Sequence, residues 1–181
     1  MKSDAASDSV TLERFRSYLM VLARTHLEPD LRAKLSASDI VQCTFLKAHR
    51  ARAQIRDRTP ANVAAWLRQI LVRVLQDVAR DLRRDKRDVR RERSLATAVR
   101  QSARRLEDLI PADQTSPSQA VARKDLLLEA ARALEALPEL QREAILMKHF
   151  QGHTLDEIAQ RLYRSPAAVA SLLRRGLKQV R

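Results

Sequence analysis

Apolar residues recur at helical spacing through most of this chain. They lie three or four positions apart between residues 12 and 22, and the pattern is interrupted near Pro29. Residues 36–50 repeat it, and residues 60–80 carry the broadest apolar stripe, behind a proline suited to a first helical turn. No alternation typical of strands appears, so the pattern predicts an all-α protein. The broad stripe comprises Trp66, Leu67, Ile70, Leu71, Val74, Leu75 and Val78.

The predicted helices fall into two groups, separated by a polar stretch. Residues 111–119, "PADQTSPSQ", combine two prolines with turn-forming side chains, which marks a linker. Beyond it, Pro138 opens a helix that Gly152 can close with a left-handed cap. Residues 80–93 are rich in both signs of charge and predict a solvated helical extension. We therefore expect a disordered tail at 1–10, a helical domain at 11–93, a linker at 94–116 and a second helical domain at 117–181.

Two helix starts lie close together near the end of the chain, in "HTLDEIAQRLYRSPAAVASLLRRG", residues 153–176. Thr154 and Glu157 fit a T-x-x-E capping box, which favours a helix N-terminus. Ser165 and Pro166 then supply an N-cap and a first-turn proline for the next helix. Two helices joined by so short a turn indicate a helix-turn-helix.

The second helix of this pair has one apolar face and one basic face when its residues are projected at about 100° per residue. We expect Val169, Leu172, Leu173, Gly176 and Val180 to pack on the first helix. No acidic residue follows Glu157. A basic outer face suits the DNA major groove, and the alternative is a helical hairpin whose basic face is only solvated. The candidate DNA-binding residues are Arg164, Ser165, Ala167, Ala168, Ser171, Arg174, Arg175 and Lys178.

Composition supports a nucleic-acid partner. The 181 residues include 35 Lys and Arg against 22 Asp and Glu, a formal net charge of +13. A ribosome-associated protein or a protein of anionic surfaces is the alternative on charge alone. One cysteine gives no disulfide framework and suits a reducing compartment. The chain begins without the apolar run of a signal peptide and has no stretch of membrane-spanning length, so we expect a cytoplasmic protein without membrane insertion.

The C-terminal sequence resembles the corresponding domain of extracytoplasmic-function sigma factors of bacterial RNA polymerase. The resemblance covers residues 12–181. Its C-terminal part rests on Leu137-Pro138, Gln141-Arg142, Glu157-Ile158-Ala159, Val169 and Arg174-Arg175-Gly176-Leu177. It implies two small helical domains, sigma domain two and sigma domain four, and places the second helix of the pair in the minus-thirty-five promoter element.

The resemblance extends to "SASDIVQCTFLKAHR", residues 36–50, which is similar to the helix with which the family docks on the polymerase clamp. Projection puts Ile40, Val41, Thr44, Phe45 and Ala48 on an inner face. By resemblance, we assign core-polymerase binding to Asp39, Gln42, Cys43 and Leu46 on the outer face. Sigma factors of this family usually carry acids where Ser36, Ser38 and Cys43 stand here. We interpret Ser36 and Ser38 as N-caps. The alternative is that a Ser/Thr kinase phosphorylates one of them and restores the negative charge.

Residues 55–80 resemble the segment with which the family opens the minus-ten element. "IRDRT" stands where "FRGxT" is common, so Arg56 and Thr59 match while the aromatic residue and the glycine are absent. Trp66 matches a common family tryptophan, for which we favour a core role over base stacking. Arg73 replaces a frequent asparagine. The candidate minus-ten residues are Arg56, Arg58, Thr59, Asn62, Arg73, Arg80, Arg83 and Arg84.

The sequence thus predicts a sigma factor that binds core RNA polymerase and promoter DNA and is not itself an enzyme. An anti-sigma factor or a Ser/Thr kinase is a further candidate partner. The alternatives are a stand-alone helix-turn-helix regulator and an adaptor that has lost promoter recognition. No cofactor is expected, and no metal, because Gly152 should end a helix between His149 and His153 and no further ligand accompanies the two histidines.

Overall fold

The computed structural model describes residues 12–32, 34–55, 59–83, 89–110 and 120–180. Every regular element in these ranges is helical, which confirms the all-α prediction. The predicted tail at 1–10 and the polar stretch at 111–119 lie outside the described residues. The helices are α1 (Arg16–His26), α2 (Pro29–Arg32), α3 (Ala37–Arg50), α4 (Pro60–Arg83), α5 (Val89–Asp108), α6 (Ala120–Ala136), α7 (Glu139–Ile145), α8 (Leu155–Leu162) and α9 (Pro166–Val180).

The chain divides into two compact units, with the boundary between Gln101 and Ser102. In the N-terminal unit, α1, α3 and α4 pack against one another. The predicted stripe of α4 supplies much of this core, since five of its seven residues are buried while Trp66 and Val78 are partly exposed. The inner face predicted for α3 is also confirmed, with Phe45 partly exposed and its four companions buried.

Polar groups in the N-terminal core are paired. The hydroxyls of Thr25 and Thr44 donate to the carbonyls four residues earlier, each at 2.8 Å. The Arg68 guanidinium donates to the hydroxyl of the buried Tyr18 at 2.7 Å. A buried polar group without a hydrogen-bond partner destabilises the fold by about 1–3 kcal/mol. These hydrogen bonds therefore allow the polar side chains to lie in the core.

In the C-terminal unit, α9 packs against α6, α7 and α8. The approach of α9 to α7 is close at Gly176, where a Cβ atom would lie 2.7 Å from Ile145 Cδ1. Arg142 supports the neighbouring helix end by donating from Nη1 to the carbonyls of Glu135 and Leu137. The resemblance motif of the C-terminal domain thus includes residues that hold the scaffold of the helix pair.

Helix α5 enters the segment that the sequence analysis assigned to a linker. Residues 94–108 are helical, and the last part of α5 belongs to the C-terminal unit. Ser102, Ala103, Leu106 and Leu109 are all buried there. The structure therefore differs from an irregular linker over these residues, because a helix runs to Asp108 and buries one of its faces. The assigned domain boundaries themselves stay a prediction.

A six-residue π-helical segment, Leu146–Gln151, continues α7 and was not expected from the sequence. Gly152 ends it in the left-handed region at φ 79°, as predicted. The Arg105 guanidinium of α5 donates to the Phe150 carbonyl within this segment. A tertiary hydrogen bond therefore accompanies the irregular turn. Within the described ranges, no helix is both long and apolar enough to cross a membrane.

Candidate nucleic-acid interface

The helix pair α8–α9 begins with the capping box expected from the sequence. The Glu157 N–H donates to Thr154 Oγ1 at 3.2 Å, and the Thr154 N–H donates to Glu157 Oε2 at 2.7 Å. The backbone N–H and then the hydroxyl of Thr154 hold the pKa of Glu157 below its ordinary value. The reciprocal bonds fix where α8 starts and therefore where the turn after it falls.

The turn between α8 and α9 is a Schellman motif. The Arg164 N–H donates to the Ala159 carbonyl at 2.9 Å and the Tyr163 N–H donates to the Gln160 carbonyl at 3.3 Å. Tyr163 takes the left-handed conformation, φ 52° and ψ 49°. Ser165 then caps α9, its Oγ accepting from the Ala168 N–H at 3.3 Å. The expected short turn, N-cap and first-turn proline are all confirmed.

Helix α9 separates its faces as the projection predicted. Val169, Leu173, Gly176 and Val180 are buried, and Leu172 is partly exposed. Of the eight candidate DNA-binding residues, Ala168 and Ser171 are partly exposed, and the others are exposed: Arg164, Ser165, Ala167, Arg174, Arg175 and Lys178. The orientation that groove binding requires is therefore present, and DNA contact by these residues stays a prediction.

The candidate polymerase-docking face on α3 is exposed throughout. Leu46 is 60% exposed, and Asp39, Gln42 and Cys43 are also exposed. Within the described residues, the other exposed large apolar residues are Leu140 and Tyr163. An exposed leucine among polar neighbours costs solvation free energy in the isolated protein, which is the expectation for a surface that a partner covers.

Asp39 has a structural role besides its predicted role in docking. Its carboxylate accepts from the Ser36 N–H at 2.9 Å and from the Ser36 hydroxyl at 2.7 Å, while its own N–H donates to Ser36 Oγ at 3.2 Å. This capping box confirms Ser36 as an N-cap, whereas the same prediction for Ser38 was wrong, because Ser38 lies inside the first turn of α3. The backbone and side-chain hydrogen bonds from Ser36 lower the pKa of Asp39, so its charge persists into acidic solution.

The candidate minus-ten residues are only partly described. Thr59 and Asn62 lie exposed at the start of α4, and Arg73 is exposed on the same helix. Arg80 is also exposed, but its guanidinium pairs with Asp77 at 2.5 Å, which in turn pairs with Lys47 of α3 at 2.6 Å. Arg83 lies in α4, and its side chain is not among those described. Arg56, Arg58 and Arg84 lie outside the described residues.

Among the described residues, no third metal ligand accompanies the two histidines near the helix pair. Gly152 separates the segment that carries His149 from His153, and His153 Nδ1 lies 3.5 Å from Glu157 Oε2. Over the described parts of the chain, no group of three or more His, Cys, Asp or Glu side chains is placed to hold a metal ion. Cys43, the single cysteine, is exposed and free.

Comparison with known proteins agrees with this architecture. Residues 11–85 match the family model for sigma-70 region 2, and residues 127–180 match the model for sigma-70 region 4. The chain is 33% identical over 150 residues to "Probable RNA polymerase sigma factor RfaY" of Xanthomonas campestris pv. campestris, a match that covers 81% of this chain and 33% of that protein. It is 26% identical over 145 residues to "ECF RNA polymerase sigma factor SigE" of Mycolicibacterium smegmatis, covering 80% of this chain and 50% of that protein.

The chain thus spans only a third and a half of the length of these two relatives. No solved structure matches it significantly. The two regional matches nevertheless fall on the two compact units, in the order that the sequence resemblance implied. Taken with the two helical units and the capped helix-turn-helix, these matches show that the chain belongs to the sigma-70 family, as a sigma factor of the extracytoplasmic-function group.

Proposed function

We propose that this protein is a promoter-specificity subunit, which binds core RNA polymerase in the cytoplasm and directs it to promoter DNA. The polymerase performs the chemistry, and this chain supplies recognition of the two promoter elements. The N-terminal unit would bind the polymerase through α3 and the minus-ten element through the start of α4. The C-terminal unit would bind the minus-thirty-five element through α9.

The observation that carries this proposal is the geometry of α9. Its apolar face is buried in the C-terminal unit, and Arg174, Arg175 and Lys178 are exposed on the other side. A helix in this position can enter the major groove, where guanidinium groups bind phosphates or guanine. The region 4 match to residues 127–180 supports the same assignment.

Polymerase binding through the exposed face of α3 is what would distinguish a sigma factor from a regulator that binds DNA alone. Leu46 is the most exposed large aliphatic side chain in the described ranges, and it shares its face with exposed polar groups. We propose that Asp39, Gln42, Cys43 and Leu46 contact the polymerase. An anti-sigma factor could compete for the same surface. A kinase acting on Ser36 is a weaker candidate, because a phosphoryl group there would lie beside the Asp39 carboxylate.

Run-off transcription with purified core enzyme on genomic fragments tests the proposal. We expect promoter-dependent transcripts from the protein together with core enzyme, and none from either alone. Changing Arg174, Arg175 and Lys178 together to alanine should abolish most of this activity. The matched control replaces Arg93, Arg100 and Arg104, three exposed arginines of α5, and should retain it.

Binding to core enzyme without DNA provides the second arm. Leu46→Glu should weaken the complex at least about tenfold, as expected when a charge replaces an apolar contact at an interface. Leu140→Glu alters an exposed leucine of the C-terminal unit and serves as the control. Sequence-specific binding by the free chain, without any affinity for core enzyme, would instead identify a stand-alone regulator. Binding to core enzyme without promoter-dependent transcription would identify an adaptor.

A further inference from the structure

Tyr163 occupies a position of the fold that favours glycine. It is the left-handed residue of the Schellman motif that ends α8, and among the described residues it is the one non-glycine residue with positive φ. Glycine is common at this position because it has no Cβ atom to clash with the backbone. A tyrosine there raises the free energy of the folded chain relative to glycine.

The tyrosine ring does not offset this cost through packing. Its side chain is 90% exposed, the highest value among the exposed large apolar and aromatic residues of the described chain. The motif's hydrogen bonds from Tyr163 and Arg164 use backbone atoms, which any residue would supply. Neither packing nor the hydrogen bonds of the turn therefore require an aromatic side chain at this position, which makes Tyr163 a candidate for contact with a partner.

The surroundings of Tyr163 indicate the chemistry of that partner. The side chain stands beside an open cleft of about 620 Å³, formed by the end of α8, the turn and the start of α9. Arg164 follows immediately and is exposed, and the capped N-terminus of α9 begins two residues later. When the first half of a recognition helix enters the major groove, the preceding turn lies at the edge of that groove, beside the sugar-phosphate backbone.

We infer that Tyr163 is a backbone-contacting residue of the upstream promoter interface, with its hydroxyl donating to a phosphate oxygen and its ring lying against the adjoining sugar. Arg164 pairs with a neighbouring phosphate, so that the turn fixes the register of α9 in the groove. Tyrosine hydroxyls are among the groups that contact DNA phosphates and set register without reading bases. This inference rests on the proposed function, since it requires α9 to bind duplex DNA.

The test compares variants at this turn in the complete complex of the chain with core polymerase, on a promoter fragment recovered by run-off transcription. Tyr163→Phe removes only the hydroxyl and should weaken promoter binding about threefold to tenfold. Its affinity should fall with salt as steeply as that of the unaltered protein, because no charge is lost. Arg164→Ala should weaken binding and also reduce the slope of log K against log salt by about 1.

Tyr163→Gly separates a contact role from a structural one. It removes the ring and relieves the left-handed strain, so binding should fall about tenfold or more while the melting temperature stays within about 2 °C or rises. A lower melting temperature together with weaker binding would show that the tyrosine stabilises the turn, and would overturn the inference.

Two further results would also contradict it. Unchanged promoter affinity in Tyr163→Phe and Tyr163→Gly, with the triple alanine variant of Arg174, Arg175 and Lys178 still weakened, would reject the contact but leave the proposed function standing. Weaker binding to core enzyme in the absence of DNA would assign Tyr163 to a protein contact instead. If the unaltered protein gave no promoter-dependent transcription at all, the proposed function itself would fail.

Discussion

Single residues define where the functional helices begin. Ser36 and Thr154 each accept a hydrogen bond from the backbone N–H three residues later, and the carboxylates of Asp39 and Glu157 each accept one from the backbone N–H of the cap. Each box satisfies two N–H groups that would otherwise lack a partner at a helix end. Helix α3 carries the proposed docking face, and α8 leads through its turn into α9, so the two caps set where both proposed binding helices lie along the chain.

Loss of the Thr154 hydroxyl should destabilise the C-terminal unit. We expect Thr154→Ala to lower the free energy of unfolding by about 1 kcal/mol, the usual value for an N-cap. Thr154→Ser keeps the hydroxyl and is the matched control. Urea unfolding followed by circular dichroism measures both, and equal losses in the two variants would argue against the capping bond as the cause.

The stability that Glu157 contributes should depend on pH. The hydrogen bonds from Thr154 lower its folded-state pKa below the ordinary value of 4.5. A depressed carboxyl pKa stabilises the fold above the ordinary value, and this contribution disappears as pH falls through the folded-state pKa. Glu157→Gln should therefore be less stable than the unaltered protein at pH 7, and the difference should shrink below pH 4.5. A difference independent of pH between 7 and 3 would contradict this assignment.

At the scale of elements, α5 lies in the part of the chain between the region 2 and region 4 matches, and its second half belongs to the C-terminal unit. Leu106 is fully buried, Leu109 is nearly so, and Arg105 bonds the Phe150 carbonyl. These contacts make the second half of α5 an additional helix of the unit that carries the helix-turn-helix, ahead of the region 4 match at 127–180.

Shortening the side chain of Leu106 tests this role of α5. Leu106→Ala should lower the free energy of unfolding of the C-terminal unit by about 2–5 kcal/mol, through the cavity that the lost side chain leaves. Arg104→Ala changes an exposed neighbour and should have little effect. Amide hydrogen exchange should locate the lost protection in α6–α9, whereas loss confined to residues 89–101 would place Leu106 in the N-terminal core.

What could be predicted from the sequence was mostly local. The starts of α3, α4, α8 and α9 follow from caps and prolines, whose signals lie within four residues, and the faces of α3 and α9 follow from helical periodicity. The packing of α5 was missed because its buried stripe includes Ser102 and Ala103, small residues that give a weak apolar pattern. The π segment accompanies a bond to Arg105, forty-five residues away, which no local pattern reveals.

At the candidate site, the sequence predicted which α9 side chains are exposed but not the conformation of Tyr163. Its neighbours fit a turn, yet tyrosine carries no preference for positive φ. The spacing of the two helix starts did carry a signal for this conformation. When a short helix is followed at once by a second capped helix, the residue that ends the first helix must adopt the left-handed conformation, and here that residue is Tyr163. The base-contacting role of Ala167 and Ala168 stays a prediction. Their side chains offer no hydrogen bond, so base contact by either one would be an apolar contact, as with the methyl group of thymine.

At the scale of the whole molecule, net charge sets how the protein meets DNA. With a formal charge of +13, the free chain should be attracted to any duplex, and the attraction should be screened by salt. Sequence preference requires α9 and the start of α4 to engage their elements together, which we propose happens on the polymerase.

Equilibrium binding at several salt concentrations checks this expectation. The free chain should bind promoter and scrambled duplexes with similar affinity, and that affinity should fall about a hundredfold between 50 and 200 mM salt if four or more phosphates are contacted. In the presence of core enzyme, the promoter should be preferred. A strong preference for the promoter by the free chain would contradict the requirement for polymerase.

The close packing of α9 against α7 has an evolutionary consequence. Gly176 leaves no space for a larger side chain without displacing Ile145, so substitutions on the inward side are constrained by the scaffold. Positions 167, 174, 175 and 178 point away from it and are under no such constraint. If α9 binds DNA as proposed, descendants of this protein can acquire new target sequences by exchanging a handful of outward side chains, and a designer can retarget the domain by the same route without rebuilding it.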